Sequence, residues 1–331
     1  MVWSADDVLG LTRGFTRSRI LLTAAELDIF SLLAGEALPA AEVGRRIGGD
    51  ERAVTILLDA LAAMELLRKS SGAYHCEPAV AALLTADAPR SVLPMVLHHV
   101  GMWRRWSELT GIVHGDSAAR GRVQASRSDV DLRAFIGAMH VVGMDVAREI
   151  AALLKPAQAR VLLDVGGASG TYTIACLEQA PGLRATLFDR PAVVEMARER
   201  LSEAGLLDRV TLVGGDFDTD ELPAGHDLAL LSAIIHQNSR AENVELYRKV
   251  WRALVPGGRL VIRDHVMSPD RTRPVDGAVF AVNMLVGTPG GNTYTLDETR
   301  ADLTRAGFVD VAAIRTDAGM HSLVEATKPL G

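Results

Sequence analysis

The sequence predicts an α/β protein, a mostly parallel sheet finished by an antiparallel hairpin and preceded by a mostly α-helical N-terminal half. Three observations carry that reading. From Val161 onward, short apolar runs alternate with helical stretches, the pattern of right-handed crossovers that cover both faces of a parallel sheet. The two last runs, in "VDVAAIRTDAGMHSLVEATK", are separated only by a turn at Asp317 to Gly319, so they must pair antiparallel. Before about residue 155, helical periodicity dominates and strand signal is almost absent.

The elements follow in order. "RSRILLTAAELDIFSLLAG" carries apolar residues at helical spacing from Ile20 to Leu33 and stops at Gly35. "LPAAEVGRRIGG" predicts a short helix from near Pro39 to Gly48-Gly49. Asp50 then caps a helix with Val54, Leu57, Leu58, Leu61 and Leu66 along one stripe. "LRKSSGAYHCEP" reads as a hairpin turning at Ser71-Gly72. Three helices and a hairpin make the order of a winged helix. A DNA-reading helix, however, needs Arg, Lys, Asn or Gln toward the bases. The third helix carries Asp50, Glu51, Asp59 and Glu65 against Arg52, which favours a structural role with its apolar stripes docked on a second subunit.

In the C-terminal half the predicted strands are "RVLLDVGG", "ATLFD", "RVTLVGGD", "DLALLSAIIH" and "RLVIRDHVM". Helices are expected over Thr171 to Gln179, Ala192 to Ala204 and Ala241 to Leu254. The formal charge of −6 over 331 residues gives no general attraction to nucleic acid or anionic lipid. Cys76 and Cys176 lack metal-ligand spacing and read as free thiols of a reducing cytoplasm. No signal peptide and no run of membrane-spanning length is apparent, so a cytoplasmic location without a membrane partner is expected. His98-His99 and Asp6-Asp7 are adjacent pairs that point apart on a helix, and no metal site is expected.

"VLLDVGGASGTYT" puts glycines between the first strand and a helix, where open sheets bind ligands. It fits neither the dinucleotide fingerprint nor a phosphate loop. What remains is D-x-G-G-x-x-G, with Asp164 on the strand followed by Gly166, Gly167 and Gly170. An anion aimed into the site suits a ligand with a cationic end. Asp189 ends the second strand in "LFDRP", beside Arg190, where it can accept both hydroxyls of a ribose. Asp216 ends the third in "GGDF", placed for an adenine amino group with Phe217 against the ring. Adenine, ribose and a positive amino-acid end describe S-adenosylmethionine.

On these residues and on "LVPGGRLVIRD", the chain resembles class I S-adenosylmethionine-dependent methyltransferases. More narrowly it resembles the small-molecule O-methyltransferases of plant phenylpropanoid, acetylserotonin and bacterial polyketide pathways. The resemblance implies a Rossmann-like seven-stranded sheet with an antiparallel C-terminal hairpin. It implies a winged-helix dimerisation domain over 1–100, a helical linker bordering the acceptor over 101–155 and a catalytic domain over 156–331. It also implies a homodimer, a small-molecule acceptor, no nucleic acid partner and S-adenosylhomocysteine as product. Asp164, Gly166, Gly167, Gly170, Asp189, Arg190, Asp216, Phe217 and Ser232 are the expected cofactor residues.

His236 in "LLSAIIHQNSRAEN" occupies the family's place for a general base after the fourth strand, and Asp264 in "VIRD" that of its orienting carboxylate. An imidazole near pKa 6.5 suits a phenol of about 10. Acceptor walls are expected from Phe135, Met139, Met144, Phe280, Asn283, Met284 and Thr293, with Trp103 and Trp106 nearby as caps or anchors. The chain departs from the family pattern at Gln237 and Asn238, which replace Asp and Trp. It departs again in "GGNTYT", where Thr293 replaces a second glutamate and Tyr294 an arginine. The expected reaction is O-methylation. The alternatives are N- or C-methylation, a non-methylating hydroxylase, decarboxylase or pericyclase on the same fold, and a winged-helix DNA-binding regulator.

Overall fold

The computed structural model describes residues 2–125, 136–137, 139–141 and 143–331, which divide into two units. The N-terminal unit is built on 2–104 with the short stretch up to 141; the C-terminal unit is built on 105–125 and 143–331. Phe135 lies outside the described residues.

The N-terminal unit opens with helix Ala5–Glu26. Its start is set by a reciprocal cap: the Asp7 amide donates to the Ser4 hydroxyl at 3.1 Å, and the Ser4 amide to the Asp7 carboxylate at 2.9 Å. The helix does not continue to Leu33 as periodicity predicts. Asp28 takes a left-handed φ of 50°, which breaks the chain into a second helix, Ile29–Ala34. Helices Ala40–Ile47 and Glu51–Ala63 form as expected, the latter capped where the Ala53 amide donates to Asp50 at 2.8 Å. Strands Arg68–Ser70 and Ala73–His75 make the hairpin, and Leu38–Pro39 adds a third strand beside Ala73–His75. Phe30, Leu33, Leu58, Leu61 and Tyr74 are buried at the centre. Asp59, one of the acids on the third long helix, receives Lys69 Nζ at 2.6 Å and the Tyr74 hydroxyl at 2.7 Å. That acid is an anchor for the hairpin.

In the C-terminal unit seven strands form one sheet. In chain order they are Val161–Val165, Arg184–Asp189, Val210–Gly214, His226–Ser232, Leu254–Asp264, Val309–Arg315 and Ser322–Thr327. Their spatial order is sixth, seventh, fifth, fourth, first, second, third. The first five are mutually parallel, and the last two form the antiparallel edge. Helices Thr171–Gln179, Pro191–Glu203 and Arg240–Ala253 fill the crossovers, each within a residue of its predicted bounds.

Alternation along the strands builds two cores. Leu162, Leu228, Leu230 and Val261 pack with helices Ala147–Leu154 and Thr171–Gln179. Leu163, Val165, Leu231 and Ile262 pack with Arg240–Ala253 and Leu296–Arg305. Burial on both faces explains why the strands read as continuous apolar runs, each fully buried leucine stabilising the fold by about 1.5–3 kcal/mol. The C-terminal ends of the parallel strands therefore share one edge, where the functional residues gather.

Candidate active site

The glycine loop is shaped by contacts that exclude side chains. Gly166 has a φ of 69°, and a Cβ there would overlap Ile234. A Cβ on Gly167 would stand 2.7 Å from Leu187 and 3.0 Å from the Asp164 carboxylate. The loop is pinned where the Gly166 amide donates to the Phe188 carbonyl and the Gly170 amide to that of Gly167, both at 2.8 Å. Gly170, at φ 79°, starts helix Thr171–Gln179.

Asp164 lies beneath the loop, 1% exposed. Its Oδ2 accepts the Thr173 hydroxyl at 2.6 Å, while Oδ1 is buried without a partner. Burial, with the Asp189 charge adding to it against the Thr173 hydrogen bond, pushes this carboxyl up to about 6. Asp189 accepts the amides of Ala168 at 2.8 Å and Arg190 at 2.7 Å, so it braces the loop it borders. Burial raises its carboxyl above the ordinary value despite those two bonds. The Arg190 side chain is exposed. Asp216 accepts the Asp218 amide at 3.0 Å, and the half-buried Phe217 has its carbonyl held by Lys249 at 2.8 Å. Ser232 accepts from Arg263 at 3.0 Å.

His236 is not on the fourth strand, which ends at Ser232. Ala233 turns the chain with a left-handed φ of 58°, and His236 sits in the short turn Ile235–Gln237. Its Nδ1 lies 2.9 and 3.0 Å from the two oxygens of Asp264, which is 2% exposed. Asp264 also accepts the His265 amide at 2.8 Å. Burial alone would raise the Asp264 carboxyl, but the charge and hydrogen bond of His236 and the His265 amide hold it below its ordinary value. The carboxylate accepts from Nδ1–H, which leaves the lone pair of the neutral ring on Nε2. Nε2 has no hydrogen-bond partner among the described residues and retains solvent access. Phe280 meets the imidazole edge-to-face, with centroids 4.8 Å apart.

The other expected acceptor residues are distributed unevenly. Asn283 Oδ1 accepts the Trp106 indole N–H at 2.9 Å, and Met284 is buried. Thr293 is buried and donates to the Gly277 carbonyl at 3.3 Å. Met144 is 39% exposed. Met139 is half-buried and belongs to the N-terminal unit, as does Trp103, which stands against Phe15.

Residues 119–309 match the O-methyltransferase domain and residues 9–86 the O-methyltransferase dimerisation domain. The chain belongs to the O-methyltransferase family. It is 33% identical to the tetracenomycin polyketide synthesis 8-O-methyl transferase TcmO of Streptomyces glaucescens, covering 98% of this chain and 96% of that one. It is 31% identical to the 3-hydroxy-5-methyl-1-naphthoate 3-O-methyltransferase of Streptomyces sahachiroi, covering 96% and 94%. The solved structure of PigF with SAH is 26% identical, with a TM-score of 0.86 over 98% of this chain and 100% of that one.

Several residues of this candidate site escape sequence reasoning. Asn243 donates to the Ile235 carbonyl at 2.9 Å, the Asn292 amide donates to the His236 carbonyl at 2.9 Å, and the Tyr294 hydroxyl donates to the Asn238 carbonyl. Together they clamp the turn that carries His236. All three lie in stretches the sequence marks, Asn243 in "LLSAIIHQNSRAEN" and Asn292 and Tyr294 in "GGNTYT", but none is singled out there for this role.

Proposed function

We propose that this enzyme transfers a methyl group from S-adenosylmethionine to a hydroxyl of a small aromatic or polyketide-like acceptor, with His236 as general base. The observation that carries the reading is the buried His236–Asp264 pair at 2.9 Å with Nε2 left open. The relatives' names, a polyketide 8-O-methyl transferase and a naphthoate 3-O-methyltransferase, support the acceptor class.

The residues present fit the cofactor. Gly166 and Gly167 leave no room for a Cβ against Ile234 and Leu187, which keeps the loop backbone bare, and Asp164 holds a buried oxygen with no partner. Asp164 would face the ammonium, Asp189 the ribose hydroxyls, and Asp216 with Phe217 the adenine, with Gly170, Arg190 and Ser232 at the margin. When bound, the cofactor supplies an electrophilic methyl carbon on a sulfonium. The protein's own work is alignment and proton removal. Phe280, Met284 and Asn283 would flank the acceptor, and Thr293 would support the wall behind it. His236 Nε2 takes the hydroxyl proton as the oxygen attacks. Asp264 holds the tautomer and faces the imidazolium that forms.

Residues 1–100 would act as the dimerisation module of a homodimer, 101–155 as the segment bordering the acceptor and 156–331 as the catalytic domain. Helix Ala5–Glu26 exposes Val8, Leu9, Leu11 and Phe15, an apolar surface suited to a second copy. Among the described residues no helix is long and apolar enough to cross a membrane; the proposed location is the cytoplasm. The test is His236→Ala. Turnover should fall by about two decades or more while S-adenosylhomocysteine binding is retained. An unchanged turnover number removes the base from the mechanism.

A further inference from the structure

We propose that Arg263 binds the carboxylate of the cofactor's methionyl end, so that Asp164 and Arg263 together form a receptor for a zwitterion. This rests on the cofactor assignment above. Sheet register brings the two residues to one face. Asp164 pairs with Leu230, Leu230 with Val261, and Ser232 with Arg263. In a parallel sheet registered residues share a face, and residues two apart return to it. Asp164, Ser232 and Arg263 therefore all face the side of helix Thr171–Gln179, two strand spacings wide, or about 10 Å. Asp264, one residue further on, faces away toward His236.

Arg263 is 3% exposed, yet no described acid forms an ion pair with it. Its partners are neutral: the Ser232 hydroxyl at 3.0 Å, His321 Nδ1 at 3.0 Å and the Tyr172 ring with its centroid 4.9 Å away. Asp317, in the turn before His321, is taken by Arg315 at 3.4 Å and the Gly319 amide at 2.7 Å. A buried guanidinium with no counter-ion among the described residues is costly and well suited to a carboxylate ligand. The same cluster holds two more unsatisfied groups, the Tyr172 hydroxyl and Asp164 Oδ1, both buried without a partner. Opposite charges left unpaired on one face of the sheet edge, with a free hydroxyl among them, match an α-amino acid group: ammonium toward Asp164, carboxylate toward Arg263.

The experiment compares two ligands by calorimetry on the full chain. One is S-adenosylhomocysteine; the other is 5′-(3-aminopropylthio)-5′-deoxyadenosine, which differs only in lacking the carboxylate. The wild type should prefer the first by about 10- to 150-fold, the range of a hydrogen bond to a charged group. Arg263→Met should bind the two within about threefold of each other. Arg263→Lys, which keeps the charge if the methionine variant does not fold, should lose at least about fivefold of the preference. A preference absent from the wild type, or undiminished in the variants, overturns the role of Arg263 alone. Failure of the wild type to bind either adenosyl compound overturns the cofactor assignment, and this inference with it.

Discussion

Replacing Asp264 with asparagine isolates what the carboxylate does for His236. In the wild type two donors converge on it: His236 Nδ1–H at 2.9 Å and the His265 amide at 2.8 Å. The amide of Asp264→Asn has one oxygen. The His265 N–H is fixed in the backbone and claims that oxygen, which turns the NH2 toward Nδ1. A neutral imidazole can accept there only by moving its own proton to Nε2, where a lone pair is needed. The variant thus loses a hydrogen bond to a charged acceptor, about 1.5–3 kcal/mol, and must also expel the wrong tautomer before reaction. Together these predict a fall in turnover of about 10²- to 10³-fold near pH 7.

The assay is single-turnover transfer of a labelled methyl group to a phenolic acceptor at saturating cofactor, from pH 6 to 10. A phenol of pKa about 10 ionises by itself toward the top of that range. The variant's rate should therefore climb with pH and the gap to wild type should narrow. The carboxyl of Asp264 is held below its ordinary 3.8. A depressed acid contributes stability that is present above about pH 4 and lost as pH falls below it, so Asp264→Asn should also flatten the acid limb of the unfolding curve. A variant within about threefold of wild type at pH 7, or a gap of constant width up to pH 10, would refute action through the ring.

Three further outcomes are expected. Gly291→Ala would drive a Cβ into the His236 carbonyl and to 2.9 Å from that of Gln237; turnover should fall at least about tenfold by displacement of the base, with S-adenosylhomocysteine affinity intact, and a loss confined to affinity would contradict it. Asp164 carries a carboxyl raised by burial from 3.8 to about 6, a gap of at most about 3 kcal/mol. A raised acid favours the fold below about pH 4 and loses that contribution as pH passes about 6. Asp164→Asn should therefore raise the ligand-free Tm at pH 8 more than at pH 4.5, while weakening S-adenosylhomocysteine at least about tenfold; equal Tm changes at both pH values would exclude the linkage. Leu11→Glu puts a charge on a residue 73% exposed in the apolar face of helix Ala5–Glu26, and sedimentation should show a shift toward monomer if that face joins two copies.

The parallel sheet, its hairpin edge and the glycine loop with Asp164 and Asp189 were legible because each rests on local spacing that sheet geometry enforces. A strand must end where its loop begins, and ligands bind at that edge. The failures come from local backbone turns and from contacts between distant segments. The apolar run Leu230 to Ile235 hides a left-handed turn at Ala233, so His236 appeared to terminate a strand it has already left. Periodicity across Leu27 and Asp28 reads straight through a backbone break that only the φ of Asp28 reveals. Arg263, Tyr172 and His321 come from three segments and meet only in three dimensions. Asn243 looks like an ordinary polar residue in a helix until its bond to the Ile235 carbonyl is seen.

The departures around His236 acquire a physical meaning from the same contacts. Gln237 is exposed, whereas Asn238 is buried and donates to Asn243 at 3.3 Å. In "GGNTYT", Gly291 admits the His236 carbonyl, Asn292 donates to it, Thr293 ties to Gly277, and Tyr294 secures Asn238. The stretch that brings a second carboxylate to the base in the family pattern here fixes the backbone of the turn instead. Among the described residues His236 then has Asp264 as its one hydrogen-bonded acid, with Phe280 against the ring. A base backed by a single carboxylate stabilises its conjugate acid less than one backed by two. If His236 is the base, phenols and naphthols should be methylated faster than aliphatic alcohols of similar size, and equal rates on the two classes in a labelled-methyl assay would contradict that role.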